Sequence, residues 1–382
     1  MSIVSKRIAY VQYTNPGIYP PLEHSANCFT DNKWRVFILG CKGFGSTGGF
    51  AMSLNGDVKI RLWRRLEPGL LQKLHYMTFC VYALCFIVAH RCEWIYASES
   101  LSTPIAFMAK KLLRRRIIYH EHDAPYHHGA TLFMALILKA RHWISRCSDV
   151  IVLPNADRAE AFRNKNGILV SPMIVWNCPA KAEILECRRG ECGHERIFYH
   201  GSINPLRLPM SVLGALLLLP HGTVFRFAGY STEGHKDYIP FFLKEAKRLG
   251  LSGRVTYLGA FSSRKALLPM CAQADIGLAF MPMLSPDINM VTMVGASNKV
   301  FDYMACGLGV IVSALPEWKE AFIEPGLAVG CNPEHPQEIA TAVSWFANNP
   351  EKFAIMRQRG RKRLLSEWNY EKQFEKVLSK MG

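Results

Sequence analysis

Short apolar runs alternate with longer amphipathic stretches along almost the whole chain. Arg7–Tyr13 reads RIAYVQY, and further strand-like runs come at Val36–Leu39, Val58–Trp63, Trp94–Ala97, Ile117–His120 and Val150–Leu153. Runs of this length bounded by turn residues predict strands, and the helical stretches between them predict parallel β-α-β units. The first run leads into TNPGIYPPLEHS, whose Asn, Gly and Pro residues predict a turn and then a helix near Leu22. A second series follows at Ile197–Tyr199, Val224–Phe227, Val255–Leu258, Ile276–Phe280, Val310–Val312 and Leu327–Val329. Between the two, residues 177–195 lose apolar periodicity and gain charge, and read as a linker. The expectation is an α/β protein with two Rossmann-like, doubly wound parallel-sheet domains, 1–180 and 195–365, facing a cleft at the strand carboxyl ends. From Pro350 the chain is helical and basic, with Trp368, Tyr370 and Phe374 spaced to pack.

One stretch between the later runs is chemically distinctive. Residues 296–307 read ASNKVFDYMACG, in which Ser297 and Asn298 are placed to cap a helix that Lys299 opens and Gly307 ends. Asp302 falls on the same face as Lys299. A cation for a phosphate and a carboxylate for sugar hydroxyls would together suit a nucleotide diphosphate. Polar groups also follow two strand ends. Tyr119 leads into His120-Glu121-His122-Asp123, and Tyr199 into His200-Gly201-Ser202, with Arg207 six residues after the glycine. A guanidinium suits a phosphate geometrically. The glycine-rich GCKGFGSTGGF has neither dinucleotide nor P-loop spacing, which favours a plain loop.

Composition narrows the partners. A 382-residue chain that is 49% hydrophobic can build two cores, and its formal charge of +16 implies an anionic partner. The twelve cysteines follow no scaffold or zinc-ribbon spacing, so reduced thiols are expected. Cys187, Cys192 and His194 form one cluster that could hold a metal, but in a charged connector a loop is the expectation. No Asp-X-Asp occurs, so the usual carboxylate pair for a divalent ion on a diphosphate is missing. No signal peptide is expected before RIAYVQY. Met77–Ala89 is shorter than the roughly twenty residues of a spanning helix and predicts a buried one. Arg61, Arg64, Arg65 and Arg91 flank it, and Lys110, Lys111 and Arg114–Arg116 follow, which allows interfacial docking on anionic lipid as a second reading.

In order and spacing, YPPLEH, YHEHDAP, YHGSINPLR, FAGY, VTYLGAF, ADIGLAFMP and SNKVFDYMACG resemble glycosyltransferase family 4, the "group 1" retaining enzymes with the GT-B fold. The resemblance covers nearly the whole chain, including a C-terminal segment, here 366–382, that in the family returns to the N-terminal domain. It implies that Arg207 and Lys299 contact the donor diphosphate and that Asp302 holds the ribose. Gly201, Ser202, Gly229, Ser297 and Asn298 would line the donor site, His122 would contact the transferred sugar, and Asp123 would fix its loop. The chain departs from the family in three places: Val294 replaces the first of two paired glutamates, so that a sugar-reading contact is either absent or supplied by Asp287 or Asn289. Glu23-His24 stands where Gly-Gly is common, and Ser202 replaces a common arginine.

The resulting expectation is a retaining hexosyltransferase. It would move a sugar from a nucleotide-diphosphate sugar to a glycan or lipid-linked acceptor in cell-envelope or exopolysaccharide synthesis. It would need neither metal nor cofactor, bind no nucleic acid, and work in the cytoplasm or peripherally at the inner membrane face. A nucleotide-sugar epimerase of the same plan, or an inactive nucleotide-sugar binder, is the alternative.

Overall fold

Parallel strands covered on both faces need side chains that tolerate burial on both, which is why the apolar runs form strands here. The computed structural model describes residues 6–43, 48–125, 131–186, 196–232 and 234–382. The chain divides into two units, Met1–Asn177 with Gln373–Gly382, and Cys178–Lys372.

The first unit contains β1 (Arg7–Val11), β2 (Arg35–Cys41), β3 (Val58–Trp63), β4 (Trp94–Ser98), β5 (Arg116–His120), β6 (Val150–Leu153) and β7 (Met173–Ile174). They pair in parallel in the order β3-β2-β1-β4-β5-β6-β7. Its helices include α1 (Pro20–Asp31), α2 (Leu70–Ala89), α3 (Thr103–Leu113), α4 (Leu132–Cys147) and α5 (Ala156–Asn166). Helices α2 to α5 share one core with Ala9, Val11, Ile95 and Tyr119. Residues of opposite parity point the other way: Tyr10 stacks on Tyr96 and donates its hydroxyl to Ser25 of α1 at 2.9 Å.

The second unit contains β8 (Arg196–Ile203), β9 (Val224–Ser231), β10 (Val255–Tyr257), β11 (Ile276–Ala279), β12 (Gly309–Ser313) and β13 (Val329–Cys331), parallel in the order β10-β9-β8-β11-β12-β13. Its helices are α6 (Ser211–Leu218), α7 (Tyr238–Arg248), α8 (Arg264–Cys271), the single turn α9 (Ile288–Val291), α10 (Lys299–Ala305), the short α11 (Pro316–Trp318), α12 (Pro336–Asn348) and α13 (Pro350–Ser366). A last helix, α14 (Tyr370–Met381), brings Phe374 against Phe29 within the first unit. Both sheets follow one permutation, 3-2-1-4-5-6 counted from each unit's first strand. The order reverses between β1 and β4 and between β8 and β11, the places where such sheets bind ligands.

Several expectations need correction. Helix α2 starts at Leu70 rather than Met77, and only Tyr76, Phe79, Ala83, Phe86 and Ile87 are buried. A helix lying on a sheet can bury only one side, and this one is apolar on both. The last strand lies at Val329–Cys331, two residues later than expected, and the two-residue β7 at the sheet edge has too little apolar sequence to be seen. The connector is not slack before residue 187: Leu185 N–H donates to Ala305 O at 2.9 Å and Arg361 to Leu185 O at 2.7 Å. Residues 366–372 are counted with the second unit, where Trp368 packs on Phe301 and Phe322. Cys187, Cys192 and His194 lie outside the described residues, as do residues 44–47 of the glycine-rich stretch.

Candidate functional site

Strand β8 runs further than its apolar residues predict, through Gly201 and Ser202, because two glycines let the backbones meet. Gly229 on β9 pairs with Gly201 and has φ 138°, and a Cβ there would lie 1.8 Å from the Gly201 carbonyl oxygen. Gly201 has φ 112°, and its own Cβ would come within 3.0 Å of Lys299 Nζ. The pair therefore makes the space in which Lys299 ends. Gly229→Ala is expected to cost about 3 kcal/mol or more, from overpacking added to left-handed backbone strain. Thermal unfolding measures the loss, and a variant melting like wild type would contradict this packing.

Lys299 opens α10 as expected, but it is buried rather than at the surface. Its ammonium sits 5.5 Å from the Tyr199 ring centroid. Burial and the nearby Arg207 guanidinium hold it down at about 7, with Asp302 opposing. Arg207 is placed by a local turn, in which Asn204 Oδ1 accepts the backbone N–H of Leu206 at 3.1 Å and of Arg207 at 3.0 Å. Its guanidinium donates to Ser202 Oγ at 2.8 Å, and its Nε is buried with no partner among the described residues. Neither Lys299 nor Arg207 forms an ion pair among the described residues. Two cations that form no ion pair among the described residues thus meet at the end of β8, beside the strand-order reversal, an arrangement that suits an anion.

Asp302, which the resemblance gives to the donor ribose, is held by protein groups in this structure. Asp302 is completely buried, and Arg264 of α8 takes both its oxygens, at 2.7 and 3.1 Å. Asn298 Nδ2 also donates to it, at 2.9 Å. A carboxylate so occupied anchors α10. Asn298, expected as a cap, has helical backbone angles and spends its side chain on Asp302 instead. Ser297 Oγ is buried without a partner among the described residues. The helix ends as read: Gly307 has φ 74°, with Leu308 N–H bonded to Tyr303 O at 2.9 Å. Arg264 also donates to both oxygens of Glu183, at 2.7 and 3.0 Å. His200 lies 3.5 Å from Asp302, and burial, with Lys299 and Arg264 nearby, holds it well below its ordinary range. At Val294 the backbone is anchored by Glu317, whose Oε1 accepts from Met293 N at 2.7 Å and Val294 N at 3.3 Å. Asp287 accepts from Asn289 N at 2.9 Å and caps α9, and Asn289 is buried.

In the first unit, polar groups collect after β4 and β5. His122 donates or accepts through Nε2 with Ser98 Oγ at 3.1 Å, while its buried Nδ1 has no partner among the described residues. Its ring lies 3.9 Å from that of His120, which bonds Tyr96. Burial brings His122 down to about 4, Asp123 raising it and Arg158 lowering it, so the imidazole is neutral at physiological pH. Asp123 is exposed and ion-pairs with Arg158 at 3.1 Å, and Arg158 also donates to His122 O at 2.6 Å. Asp123 thereby helps hold its loop, through a partner the sequence reading missed. Glu99 was missed too. It sits at φ 65° and accepts the backbone N–H of His122 at 2.9 Å and of Asp123 at 3.4 Å. Burial, with Asp123 and Glu121 near, pushes its carboxyl well above the usual range. Its position just past the end of β4, matching His122 just past β5, was the available signal. Glu23 and His24 are both buried on α1.

Residues 234–379 match the family model described as glycosyl transferase-like. Among curated proteins none matches the chain. Among solved structures, HepE of Anabaena in complex with UDP-glucose superposes with a TM-score of 0.74 at 16% identity, over 98% of this chain and 99% of that one. Sucrose-phosphate synthase from Thermosynechococcus elongatus gives 0.71 at 13%, over 98% of each chain. A glycosyltransferase from Rickettsia africae gives 0.68 at 10%, over 98% and 97%. At these identities the likeness is one of fold, and the fold is GT-B. The resemblance to group 1 glycosyltransferases seen in the motifs is thus met in the family model and in the architecture.

Proposed function

We infer that this chain, glycosyl transferase-like over 234–379 and GT-B in fold, is a glycosyltransferase that moves a hexose from a nucleotide-diphosphate sugar to a glycan or lipid-linked acceptor. The observation that carries this reading is the Lys299–Arg207 pair, two cations that form no ion pair among the described residues, with Lys299 ending against Gly201. Breaking the sugar–phosphate bond concentrates negative charge on the leaving diphosphate, and cations already in place stabilise it without reorganisation. With two cations doing this, the reaction needs no metal. A neutral His122 contacts the transferred sugar, and the leaving phosphate takes the acceptor's proton, so the anomeric configuration is retained. The role we infer is cell-envelope or exopolysaccharide synthesis on the cytoplasmic side, a reading that rests on the motif resemblance. Because HepE was solved with UDP and with UDP-glucose, uridine donors are the first to try.

The test is thermal unfolding with nucleoside diphosphates and nucleotide sugars in EDTA, followed by nucleotide release with acceptor extracts. A ligand at a hundred times its Kd stabilises by about 2.7 kcal/mol. His122→Ala should keep that donor-induced shift while transfer falls about tenfold to a hundredfold, the loss of one positioned hydrogen bond. Because His122 titrates at about 4, its protonation should leave no acid limb in the rate near neutral pH. No shift with any nucleotide would overturn the reading.

A further inference from the structure

Helices α2, α3 and α4 share the same core and lie along one face of the first sheet. What they turn outward is unusual for a protein surface. Successive helical residues advance by about 100°, so Leu70, Leu74, Met77, Val81 and Val88 fall in one stripe about 60° wide, opposite the buried side of α2. All five are exposed, from 47% at Val88 to 74% at Leu70. The neighbouring helices add further exposed leucines, Leu112 of α3 and Leu132 and Leu136 of α4, each more than half exposed. A continuous apolar stripe such as that on α2 marks an interaction site.

Charge identifies the partner. Across α2, α3 and α4 there are six basic residues, Lys73, Lys110, Lys111, Lys139, Arg141 and Arg146, and no Asp or Glu. Arg141 is buried on Glu121 and Lys110 is paired with Asp149, while Lys73, Lys111, Lys139 and Arg146 are exposed. Arg64 and Arg114, also exposed, stand in the adjoining connections. Helix α2 is long and apolar enough to cross a bilayer. Its inner side, however, is built into the sheet's core, so it can lie on a membrane but not span one. A second copy of the chain docked by the same face would oppose cations to cations, which a self-complementary interface must avoid.

We propose that the outer face of α2, α3 and α4 docks this protein on an anionic bilayer, the leucine stripe entering the headgroup boundary and the lysines and arginines meeting lipid phosphates. The test is flotation of the full chain with phosphatidylcholine vesicles and with vesicles rich in phosphatidylglycerol. Recovery should be confined to the anionic vesicles and fall with added salt. Met77→Glu/Val81→Glu should reduce it about tenfold or more, leaving thermal unfolding unchanged because both side chains are exposed. Lys111→Glu/Arg114→Glu should reduce it by a similar factor without touching the apolar stripe. Absence of anionic preference, or flotation undiminished by both variants, would overturn the proposal. So would a wild-type dimer in sedimentation that Met77→Glu/Val81→Glu converts to monomer, since the face would then belong to a second copy.

Discussion

Replacing Lys299 with alanine is expected to weaken nucleotide-sugar binding by about tenfold to a hundredfold, the loss of about 1.5–3 kcal/mol from one charge-assisted contact. The same residue makes binding depend on pH. Its ammonium titrates near 7 in the folded chain and near 10.4 when unfolded. Between those values the unfolded state holds the extra proton, so this group's contribution to stability is least favourable below pH 7 and improves as pH rises toward 10.4. Donor binding has the opposite sign. A diphosphate beside the ammonium favours its charged form, so binding takes up a proton, and affinity falls as pH rises through 7, by up to about tenfold per unit. The diphosphate of a nucleotide sugar is a diester that does not titrate in this window, so the slope belongs to the protein. Isothermal calorimetry from neutral to alkaline pH reads it directly. Equal affinities for wild type and Lys299→Ala, or a slope that survives the substitution, would remove Lys299 from the donor site.

Arg264→Met is expected to destabilise the second unit strongly. Arg264 is the common partner of Asp302 and Glu183, and its loss leaves a fully buried carboxylate without the guanidinium that takes both its oxygens. Removing one member of a buried pair costs about 3–5 kcal/mol, a fall in melting temperature on the order of 10 °C for a unit of this size. Adding Asp302→Asn to Arg264→Met should recover part of the loss, since an amide leaves no stranded charge. The exposed Arg248–Glu245 pair is the control, and Arg248→Ala should shift stability by no more than about 0.5 kcal/mol. If Arg264→Met melts like Arg248→Ala, Asp302 is not held as described. Donor affinity should fall with stability, because Asp302 lies one turn from Lys299 on α10 and fixes the helix that presents it.

Membrane docking and donor binding lie on separate helices, so their variants should act independently: Met77→Glu/Val81→Glu should leave the nucleotide-induced shift intact, and Lys299→Ala should leave flotation intact.

The apolar runs were enough to determine the twelve longer strands, their parallel pairing and the division into two similar halves, because buried strands announce themselves by composition and bounding turns. The opening of α10 at Lys299 and its end at Gly307 were equally local, set by helix start and stop chemistry within a dozen residues. The tertiary structure decided what those residues face. Asp302 looked like a ligand-binding carboxylate because nothing nearby in sequence competes for it. Its partner Arg264 comes from 38 residues away, and Arg264 reaches Glu183 across another 81. The depth of Lys299 was likewise hidden, since it depends on Gly201 and Gly229 meeting across two strands. Helix α2 shows the converse. Its apolar composition was plain, but periodicity cannot say which side of an all-apolar helix a sheet will cover, and only packing left the stripe from Leu70 to Val88 facing outward.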